Sequence, residues 1–362
     1  MPSPYLTQLR KWMLESPPVE WGINQVREML IGALRQGSIP QHVAFVMDGN
    51  RRFARSHKIE TVEGHNLGFE ALARILEVCY KSGVKVVTVY AFSIENFKRS
   101  KYEVDALMEM AKIKLSQLSQ HGELLDRYGA SVRVLGNRNL LRPDVVEVID
   151  RAVDMTKNNG ELVAPAASLD IIDNTRCALN ICFPYTSRDE ITSAIKSTVE
   201  DYSKPLAAHA RAFSQTRITQ KIRSRNLSNS PLRSSSPTPS TISDVDDSVS
   251  STTTLHPETP PNDSRDNLYP DPESITSDTI GDHMFTARDP PLDMLIRTSG
   301  VKRLSDFMLW QCHEDTEIVF LDVLWPEFDL WSFLPVLVEY QWRQKHVEDK
   351  PLGSLPLKTK VW

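Results

Sequence analysis

Residues 42–53 read HVAFVMDGNRRF, an apolar run followed at once by a carboxylate, a glycine, an amide and two arginines. The apolar part has the length and composition of a buried β-strand. In an open parallel sheet, ligands bind at the carboxyl ends of the strands. Asp48, Arg51 and Arg52 follow this strand, so we predict that they form a site for a metal ion and a phosphate group. The Asp-Gly-Asn sequence alone is also typical of an ordinary turn.

Short β-forming runs alternate with helical segments along the rest of the chain. This alternation predicts an α/β fold in which a parallel sheet is covered by helices on both faces. The predicted strands span 42–48, 84–92, 131–136, 178–183, 292–298 and 317–322. Apolar periodicity predicts helices at 65–82, 102–128, 143–158 and 187–200.

The 362 residues are 40% hydrophobic and carry a formal net charge of −5. This charge gives no overall basic field, so we expect no nucleic acid partner and look for anion recognition at local arginines. No run of about 18 apolar residues occurs, and we expect a chain that neither spans a membrane nor is secreted. The four cysteines lack the spacing of a metal or redox site, which is typical of buried thiols.

The composition changes sharply towards the middle of the chain. Residues 214–268 contain no aromatic side chain and are rich in Ser, Thr and Pro. Such a segment cannot bury enough apolar surface to offset the entropy of ordering it, so we expect a disordered insertion. The predicted regions are an amphipathic helical segment at 1–40, one catalytic domain at 41–202 plus 272–346, the insertion at 203–271, and a C-terminal tail at 347–362.

Apolar residues recur every three to four positions through 20–36, and Gly37 stands where the helix is expected to end. A face of Trp, Met and Leu flanked by basic residues suits a membrane surface. The same pattern suits a helix that packs on its own domain, and the sequence does not distinguish the two.

Three further groups of polar residues fall at predicted element ends. Gly64 and His65 open a predicted helix whose first amides favour an anion, although His65 alone also suits a helix cap. Residues 92–99, FSIENFKR, end the second strand, and a polar loop of this kind is also typical of solvated surface. Residues 297–307, RTSGVKRLSDF, follow the fifth strand and suit a second diphosphate. Two anion sites beside one metal carboxylate indicate a reaction between two phosphorylated substrates.

Together these motifs closely resemble the cis-prenyltransferases, the undecaprenyl and dehydrodolichyl diphosphate synthases, and above all the eukaryotic dehydrodolichyl catalytic subunits. The resemblance covers nearly everything outside 1–40 and the insertion. It implies a six-stranded, mostly parallel sheet flanked by helices, with a long hydrophobic tunnel between the two. The residues that carry it are 42–53, 64–65, 90–99, 133–136, 180–188, 297–311 and 323–328.

The resemblance implies an enzyme that transfers prenyl groups. Such an enzyme condenses several molecules of isopentenyl diphosphate onto an allylic primer, farnesyl diphosphate, with Mg²⁺ as cofactor. The product would be a long-chain polyprenyl (dehydrodolichyl) diphosphate, which serves dolichol synthesis and protein glycosylation. Charge on the departing diphosphate must be neutralised in this reaction, and a metal ion with arginines does so without proton transfer.

The resemblance also implies residue roles. Asp48 would bind magnesium, and Asn96 would assist proton removal. The implied isopentenyl diphosphate site comprises Arg297, Arg303 and Ser305. Glu317 falls near a glutamate that ligates magnesium in bacterial relatives, although the preceding stretch is one residue longer here. The implied allylic diphosphate site comprises Gly49, Asn50, Arg51, Arg52, His65, Ser93, Glu95, Phe97 and Arg99.

Two departures from the family pattern affect these expectations. Thr61 stands where many relatives have an arginine, so Arg55 or Lys58 are candidates to take over part of the role of that arginine. Bacterial homodimeric members end in an Arg-x-Gly motif that completes the neighbouring acceptor site, and residues 349–362 lack it. The resemblance therefore implies a Nogo-B-receptor-like accessory subunit that supplies the motif. It also implies peripheral association with the cytosolic face of the endoplasmic reticulum, or with lipid droplets.

Two other functions compete with catalysis of prenyl transfer. The family contains non-catalytic subunits of heteromeric complexes, but those would be expected to lack the intact Asp-Gly-Asn-Arg-Arg run at 48–52. A phosphatase that used Asp48 as its nucleophile would need a second acid, and it would leave the 297–306 site unexplained.

Overall fold

The computed structural model describes residues 17–119, 124–157, 159, 177–205, 269–313, 315–348 and 359–361. The chain divides into two compact units, residues 1–194 with 281–362, and residues 195–280. Most of the predicted insertion, 206–268, lies outside the described residues, so its disorder stays a prediction. In the second unit, the hydroxyl groups of Tyr202 and Ser274 lie 3.3 Å apart.

The first unit is built on one sheet in which every strand pair is parallel. The predicted α/β fold and all six predicted strands are confirmed. A short seventh strand, from the predicted tail, adds to the edge of the sheet. The strands are β1 His42–Val46, β2 Val86–Tyr90, β3 Ala130–Leu135, β4 Cys177–Cys182, β5 Met294–Arg297, β6 Glu317–Phe320 and β7 Thr359–Val361, in the order β3-β4-β2-β1-β5-β6-β7.

The described helices include one at each predicted position. They are α1 Pro17–Leu34, α2 Asn50–His57, α3 Thr61–Ser82, α4 Lys101–Leu118, α5 Leu124–Arg127, α6 Pro143–Thr156, α7 Ser187–Tyr202, α8 Ser277–Gly281 and α9 Leu330–Glu348. Single 3-10 turns cover Ile94–Lys98, Arg138–Leu140, Pro272–Ser274 and Trp325–Glu327. None of these described helices is long and apolar enough to cross a membrane.

The sequence-based helix assignment was wrong in two respects. The predicted helix 102–128 is not continuous, because α4 ends at Leu118 and a separate short helix, α5, follows. Helices α2, α8 and α9 were missed. Only Ala54 is buried in the arginine-rich α2, so it has little apolar periodicity, and Pro335 lies inside α9, where proline predicts a break.

The strands are apolar on both faces because both faces are covered. On one face, Val43 and Phe45 belong to the main core, where helices α3 and α9 also bury side chains. Phe45 contacts the rings of Trp325, Phe328 and Phe333 at centroid distances of 5.7 to 6.1 Å. On the other face, Ala44 and Val46 pack in a second cluster with Phe307 and Met308. Near-continuous apolar runs are what a parallel sheet of this kind requires.

Helix α1 packs on its own domain through one face. Ile31 and Leu34 are each only 3% exposed and belong to the main core. Gln341 Nε2 of α9 donates a 2.6 Å hydrogen bond to the carbonyl oxygen of Leu34. Another part of its surface is open, since Trp21 and Met29 are each 67% exposed. The packing interpretation is therefore correct for the Ile31 face, and the exposed apolar residues remain available for another contact.

The strand order determines where a ligand can bind. β1 is central, with β2 on one side and β5 on the other. The chain adds β2 to β4 on one side of β1 and β5 to β7 on the other, so β1 lies at the topological switch point of the sheet. Open α/β sheets bind ligands in the crevice outside the carboxyl ends of the strands at such a point. Residues 47–52, 91–99 and 298–306 follow β1, β2 and β5 and meet at this crevice.

Candidate active site

The backbone of Asp48 is fixed at the end of β1. Its carbonyl oxygen accepts hydrogen bonds from Thr298 Oγ1 at 2.7 Å and from the backbone N–H of Trp325 at 3.1 Å. The next residue, Gly49, has φ 114° and lies against Leu324, so a side chain there would be both strained and crowded. These contacts direct the Asp48 carboxylate into the crevice.

Arg297, at the end of β5, binds this carboxylate. Its side chain is 4% exposed, and its Nη2 donates a 2.8 Å hydrogen bond to Asp48 Oδ2. Arg52 Nη2 lies 3.7 Å from the same oxygen. Burial alone would raise the pKa of Asp48, but the hydrogen bond and charge of Arg297, with contributions from Ser299 and Arg52, hold that pKa below its usual value. Asp48 is therefore ionised at neutral pH.

The other end of the same guanidinium organises the predicted acceptor site. Arg297 Nη1 donates to Ser305 Oγ and to the carbonyl oxygen of Arg303, each at 2.5 Å. Arg303 Nε donates to the same Ser305 hydroxyl at 3.2 Å. Ser305 thus lies between two guanidinium groups, which is a suitable arrangement for binding phosphate oxygens.

The loop that carries Ser305 has an unusual backbone. Ser299, Ser305, Asp306 and Met308 have φ values of 81°, 53°, 61° and 47°. A non-glycine residue in the left-handed region costs about 1–3 kcal/mol, and such residues gather at functional sites where the surroundings hold them in place. We call residues 298–308 the acceptor loop.

Tyr185 and Glu190, which sequence analysis missed, hold the acceptor loop in place. The backbone N–H of Met308 donates to Tyr185 Oη at 3.3 Å, and the Tyr185 hydroxyl donates to Glu190. Glu190 is 1% exposed and also accepts from the N–H of Phe285 at 2.9 Å and from Gln311 Nε2 at 3.1 Å. Burial raises the pKa of Glu190. The one sequence feature that could have indicated Glu190 is its position two residues after the polar stretch 184–188.

The turn after β2 places the predicted allylic residues opposite the acceptor loop. Ser93 caps the Ile94–Lys98 turn by accepting a 3.2 Å hydrogen bond from the N–H of Glu95. Asn96 Oδ1 accepts from Arg99 Nη2 at 2.9 Å. Arg99 Nη1 also donates to Glu103 at 3.0 Å, and Arg51 Nη1 lies 3.8 Å from the same oxygen of Glu103. Glu103, which sequence analysis missed, therefore holds two of the predicted diphosphate-binding arginines.

His65 does not lie at a helix start, contrary to the sequence-based expectation. Helix α3 begins at Thr61, so His65 lies in its second turn. Burial first, and then the charge of Arg99, lowers the pKa of His65 to about 4, so the ring is neutral at pH 7. Its buried Nε2 has no hydrogen-bond partner among the residues that the structure describes. The ring is therefore available to hydrogen bond with a ligand.

A cavity of about 720 Å³ connects these groups. The structure brings together at one end of it all but two of the residues to which the resemblance assigns a role. The predicted residues that line it are Asp48, Gly49, Asn50, Arg51, Arg52, His65, Ser93, Glu95, Asn96, Arg99, Arg297, Arg303 and Ser305. Arg55 and Lys58, the candidates to replace the arginine missing at Thr61, are exposed and are not among the lining residues.

Phe97 and Glu317 are the two exceptions. Phe97 packs on Phe92 with ring centroids 5.0 Å apart, and this contact supports the Ile94–Lys98 turn. Glu317 is the first residue of β6, at the amino edge of the sheet, whereas Asp48 follows the carboxyl end of β1. It lies 2.7 Å from Arg343 Nη1, and the structure does not bring it to Asp48 as a second metal ligand. Glu317 is close in sequence to the acceptor loop. However, it begins strand β6, so it lies at the amino edge of the sheet, opposite the edge where Asp48 lies.

Apart from Lys114, the rest of the cavity is lined mainly by apolar side chains and lies between the sheet and the helices. Its walls come from α3, α4 and the tunnel-facing side chains of the sheet, as the resemblance implies. The apolar lining residues include Phe69, Leu72, Val89, Leu107, Met110, Ala111, Leu115, Leu118, Val134 and Ile181. The site can therefore bind a ligand that has an anionic head and a hydrocarbon tail.

No group of three or more His, Cys, Asp or Glu residues that could hold a metal ion occurs among the described residues. Asp48 is the ionised carboxylate at the charged end that is best placed for a cation. Mg²⁺ is usually bound by one or two carboxylates together with substrate phosphates, so Asp48 fits a metal that arrives with a diphosphate.

Comparisons with known proteins agree with this geometry. Residues 46–348 match the prenyltransferase family model described as undecaprenyl diphosphate synthase. A dehydrodolichyl diphosphate synthase complex subunit of Schizosaccharomyces pombe is 40% identical over 333 residues, which cover 92% of this chain and 97% of that protein. The corresponding human complex subunit is 35% identical over 308 residues, which cover 85% of this chain and 69% of that protein.

The solved structures include a lavandulyl diphosphate synthase from Lavandula x intermedia in complex with dimethylallyl diphosphate. It superposes with a TM-score of 0.54 at 22% identity, over 84% of this chain and 95% of that chain. At this identity the likeness concerns the fold alone, and it agrees with the parallel sheet described above.

Proposed function

The chain belongs to the undecaprenyl diphosphate synthase family of prenyltransferases, and we propose that it condenses isopentenyl diphosphate repeatedly onto an allylic diphosphate such as farnesyl diphosphate. The observation that supports this most is the single cavity, which joins two arginine-rich anion sites to an apolar interior. The names of its relatives support a dehydrodolichyl diphosphate product, and with it a role in dolichol synthesis and protein glycosylation.

In this proposal the allylic diphosphate occupies the turn after β1. Gly49, Asn50 and the Arg51 and Arg52 side chains bind its oxygens, and neutral His65 offers a further hydrogen bond. Asp48 would hold Mg²⁺ against the same diphosphate. The metal, when bound, would neutralise charge on the departing diphosphate. Arginines fixed by Glu103 and Ser299 supply further positive charge without having to reorganise during the reaction.

The acceptor, isopentenyl diphosphate, would be held by Arg297, Arg303 and Ser305. Its double bond then faces the allylic carbon. The new carbon–carbon bond forms as the allylic carbon–oxygen bond breaks, diphosphate leaves, and a proton is lost from the acceptor. Asn96, whose oxygen is fixed by Arg99, is suited to orient the group that receives this proton by a hydrogen bond. Orientation of two bound substrates is a large part of the rate advantage in such a site.

We also propose that an accessory subunit completes the acceptor site. The names of the relatives contain the words complex subunit. Arg303 is exposed, so the acceptor site has an open side. The sequence of residues 349–362 contains no arginine. A Nogo-B-receptor-like partner that ends in Arg-x-Gly would supply a further cation at this open side.

The experiment that tests this function measures incorporation of radiolabelled isopentenyl diphosphate with farnesyl diphosphate as primer. It compares the purified chain alone with the chain plus a partner subunit, each with Mg²⁺ and with a chelator. We expect weak activity alone, strong activity with the partner, and none after chelation. Full long-chain synthesis by the chain alone would remove the need for a partner. No incorporation under any of these conditions would contradict the function itself.

The same chain would act at a membrane surface as a peripheral protein of the cytosolic face of the endoplasmic reticulum. The exposed Trp21 and Met29 of α1 support this, because an aromatic and a flexible apolar side chain suit the lipid interface. A Trp21→Glu, Met29→Glu double variant should bind vesicles of neutral and anionic lipid more weakly than the unsubstituted chain. Leu140→Glu, at an exposed apolar residue elsewhere, is the control and should bind like the unsubstituted chain.

A further inference from the structure

Lys114 is an isolated charge on the apolar wall of the cavity. It lies on α4 among the lining residues Met110, Ala111 and Leu118. The other lining charges gather at the diphosphate end, where Glu103 marks the start of the helix. Lys114 follows Glu103 by eleven residues, which is roughly 16 Å along a helix axis. A charge on this wall of the cavity needs an explanation, because an apolar ligand would have to pass it.

The ammonium group of Lys114 lies against an aromatic ring. Lys114 Nζ is 4.8 Å from the centroid of Phe69, which is a favourable distance for a cation–π contact. Phe69 belongs to α3, one turn beyond His65, so the pair joins the two helical walls of the cavity. Within the described part of the chain, no carboxylate lies within ion-pair distance of Lys114. The Phe69 ring is the contact that the described residues offer this charge.

The size of the cavity makes this pair relevant to the product. A cavity of about 720 Å³ is in the range that accommodates a ligand the size of a drug molecule. A chain of many isoprene units is far larger, so it must extend beyond the space at the charged end and along the wall that Lys114 and Phe69 form.

We propose that Lys114, held over Phe69, is a specificity-determining residue that limits the length of the product; this inference rests on the proposed function. As the hydrocarbon chain grows past Phe69, it displaces water from the ammonium group and pushes it off the ring. Among the residues that the structure describes, no carboxylate lies at ion-pair distance to compensate, so each chain that reaches this point meets a free-energy cost. Elongation then competes less well with release of the product.

The test measures product length after elongation by variants of this pair, in whichever form, alone or with the accessory subunit, is active for the unsubstituted chain. Lys114→Met keeps the length and flexibility of the side chain but removes its charge. We expect its most abundant product to be longer by at least one isoprene unit. Lys114→Arg keeps the cation over the ring and should keep the original distribution.

Lys112 provides a matched control on the same helix. It is bound to Glu109 and Asp144 at 2.7 and 2.8 Å and does not line the cavity. Lys112→Met should leave the distribution unchanged. Phe69→Leu should lengthen the product as Lys114→Met does, and the double variant should shift it no further than the larger single shift, because the two residues act as one unit. Melting curves identify any variant that has not folded.

The outcomes separate this inference from the function on which it rests. An unchanged or shorter product from both Lys114→Met and Phe69→Leu, with an active unsubstituted chain, would overturn the role of Lys114 and leave the function intact. An equal shift from Lys112→Met would also overturn it. Absence of any product from the unsubstituted chain would overturn both.

Discussion

At the scale of single residues, Asp48 is an ionised carboxylate that is bound by a buried arginine, Arg297. A substitution there should therefore affect both the proposed metal site and the stability of the protein. We expect Asp48→Asn to lower kcat by about 10²–10³-fold, because the amide keeps the shape of the side chain but cannot neutralise a metal ion. The melting temperature should also fall, since Arg297 loses its charged partner. Steady-state incorporation, measured well below the melting temperature of the variant, checks this. Turnover close to that of the unsubstituted chain would contradict the metal assignment.

His65 gives a prediction for the pH dependence of stability. Its pKa is about 4 in the folded protein and about 6.5 in an unfolded chain. As the pH falls below 6.5, the unfolded state takes up a proton first, so stability is lost progressively down to about pH 4. His65→Gln should remove this part of the pH dependence. Urea denaturation of both proteins between pH 7 and pH 4 checks this, and parallel curves would show that His65 is not held neutral.

Sequence motifs were sufficient for the residues that follow strand ends. Asp48, Arg52 and Arg297 all follow apolar runs, and the structure brings them together. Glu103 and Glu190 could not be found in this way, because an acidic residue on a helix is usually solvated. Their significance depends on tertiary contacts, with Arg51 and Arg99 in one case and with Tyr185 in the other. Glu317 was misplaced because spacing in the motif does not show at which edge of a sheet a residue lies.

At the scale of elements, the acceptor loop depends on its support by Tyr185. We expect Tyr185→Phe to raise the KM for isopentenyl diphosphate roughly tenfold, because Met308 and buried Glu190 each lose a hydrogen bond. The KM for the allylic diphosphate should not change, since its site lies on the other side of the cavity.

Tyr80→Phe is the matched control for this variant. It also removes a buried tyrosine hydroxyl, which here donates to the carbonyl oxygen of Ala178 at 3.2 Å, away from the acceptor loop. It should lower stability without a selective change in either KM. An equal rise in both KM values for Tyr185→Phe would indicate a general disturbance rather than a role in the loop.

Elements whose stability is local were predictable, and those that depend on distant contacts were not. The strand β1 is five consecutive buried residues, and any pattern analysis finds it. Helix α2 follows Gly49, which has a positive φ, and packs on α3 where Gly64 allows close approach, since a Cβ at Gly64 would lie 2.7 Å from the Asn50 carbonyl oxygen. Nothing in its arginine-rich sequence indicates that contact.

At the scale of the whole molecule, the composition of 214–268 predicts that this segment is not needed for the fold. We expect a chain in which 214–268 is replaced by a short Gly-Ser linker to keep its melting temperature and its basal incorporation activity. Thermal melting and the incorporation assay check this. A large fall in melting temperature would show that the segment is structural.

The strand order was beyond the reach of sequence periodicity. Asp48 and Arg297 are 249 residues apart along the chain, and their contact follows from the pairing of β1 with β5. Periodicity gives the strands but not their neighbours. The polar residues at strand ends led to the expectation that two anion sites lie beside one carboxylate, and the resemblance to a known family added the hydrophobic tunnel.

Arg297 holds Asp48 with one nitrogen and Ser305 with the other. Any ligand that draws Asp48 away from this guanidinium changes how tightly Ser305 and the acceptor loop are held, and a ligand on the loop acts on Asp48 in the same way. In the proposed function, the two substrates would then be thermodynamically linked through one side chain. The factor by which bound allylic diphosphate changes the affinity for isopentenyl diphosphate must equal the factor by which bound isopentenyl diphosphate changes the affinity for the allylic diphosphate. In repeated elongation, each newly lengthened chain would thereby change the affinity of the site for its next five carbons.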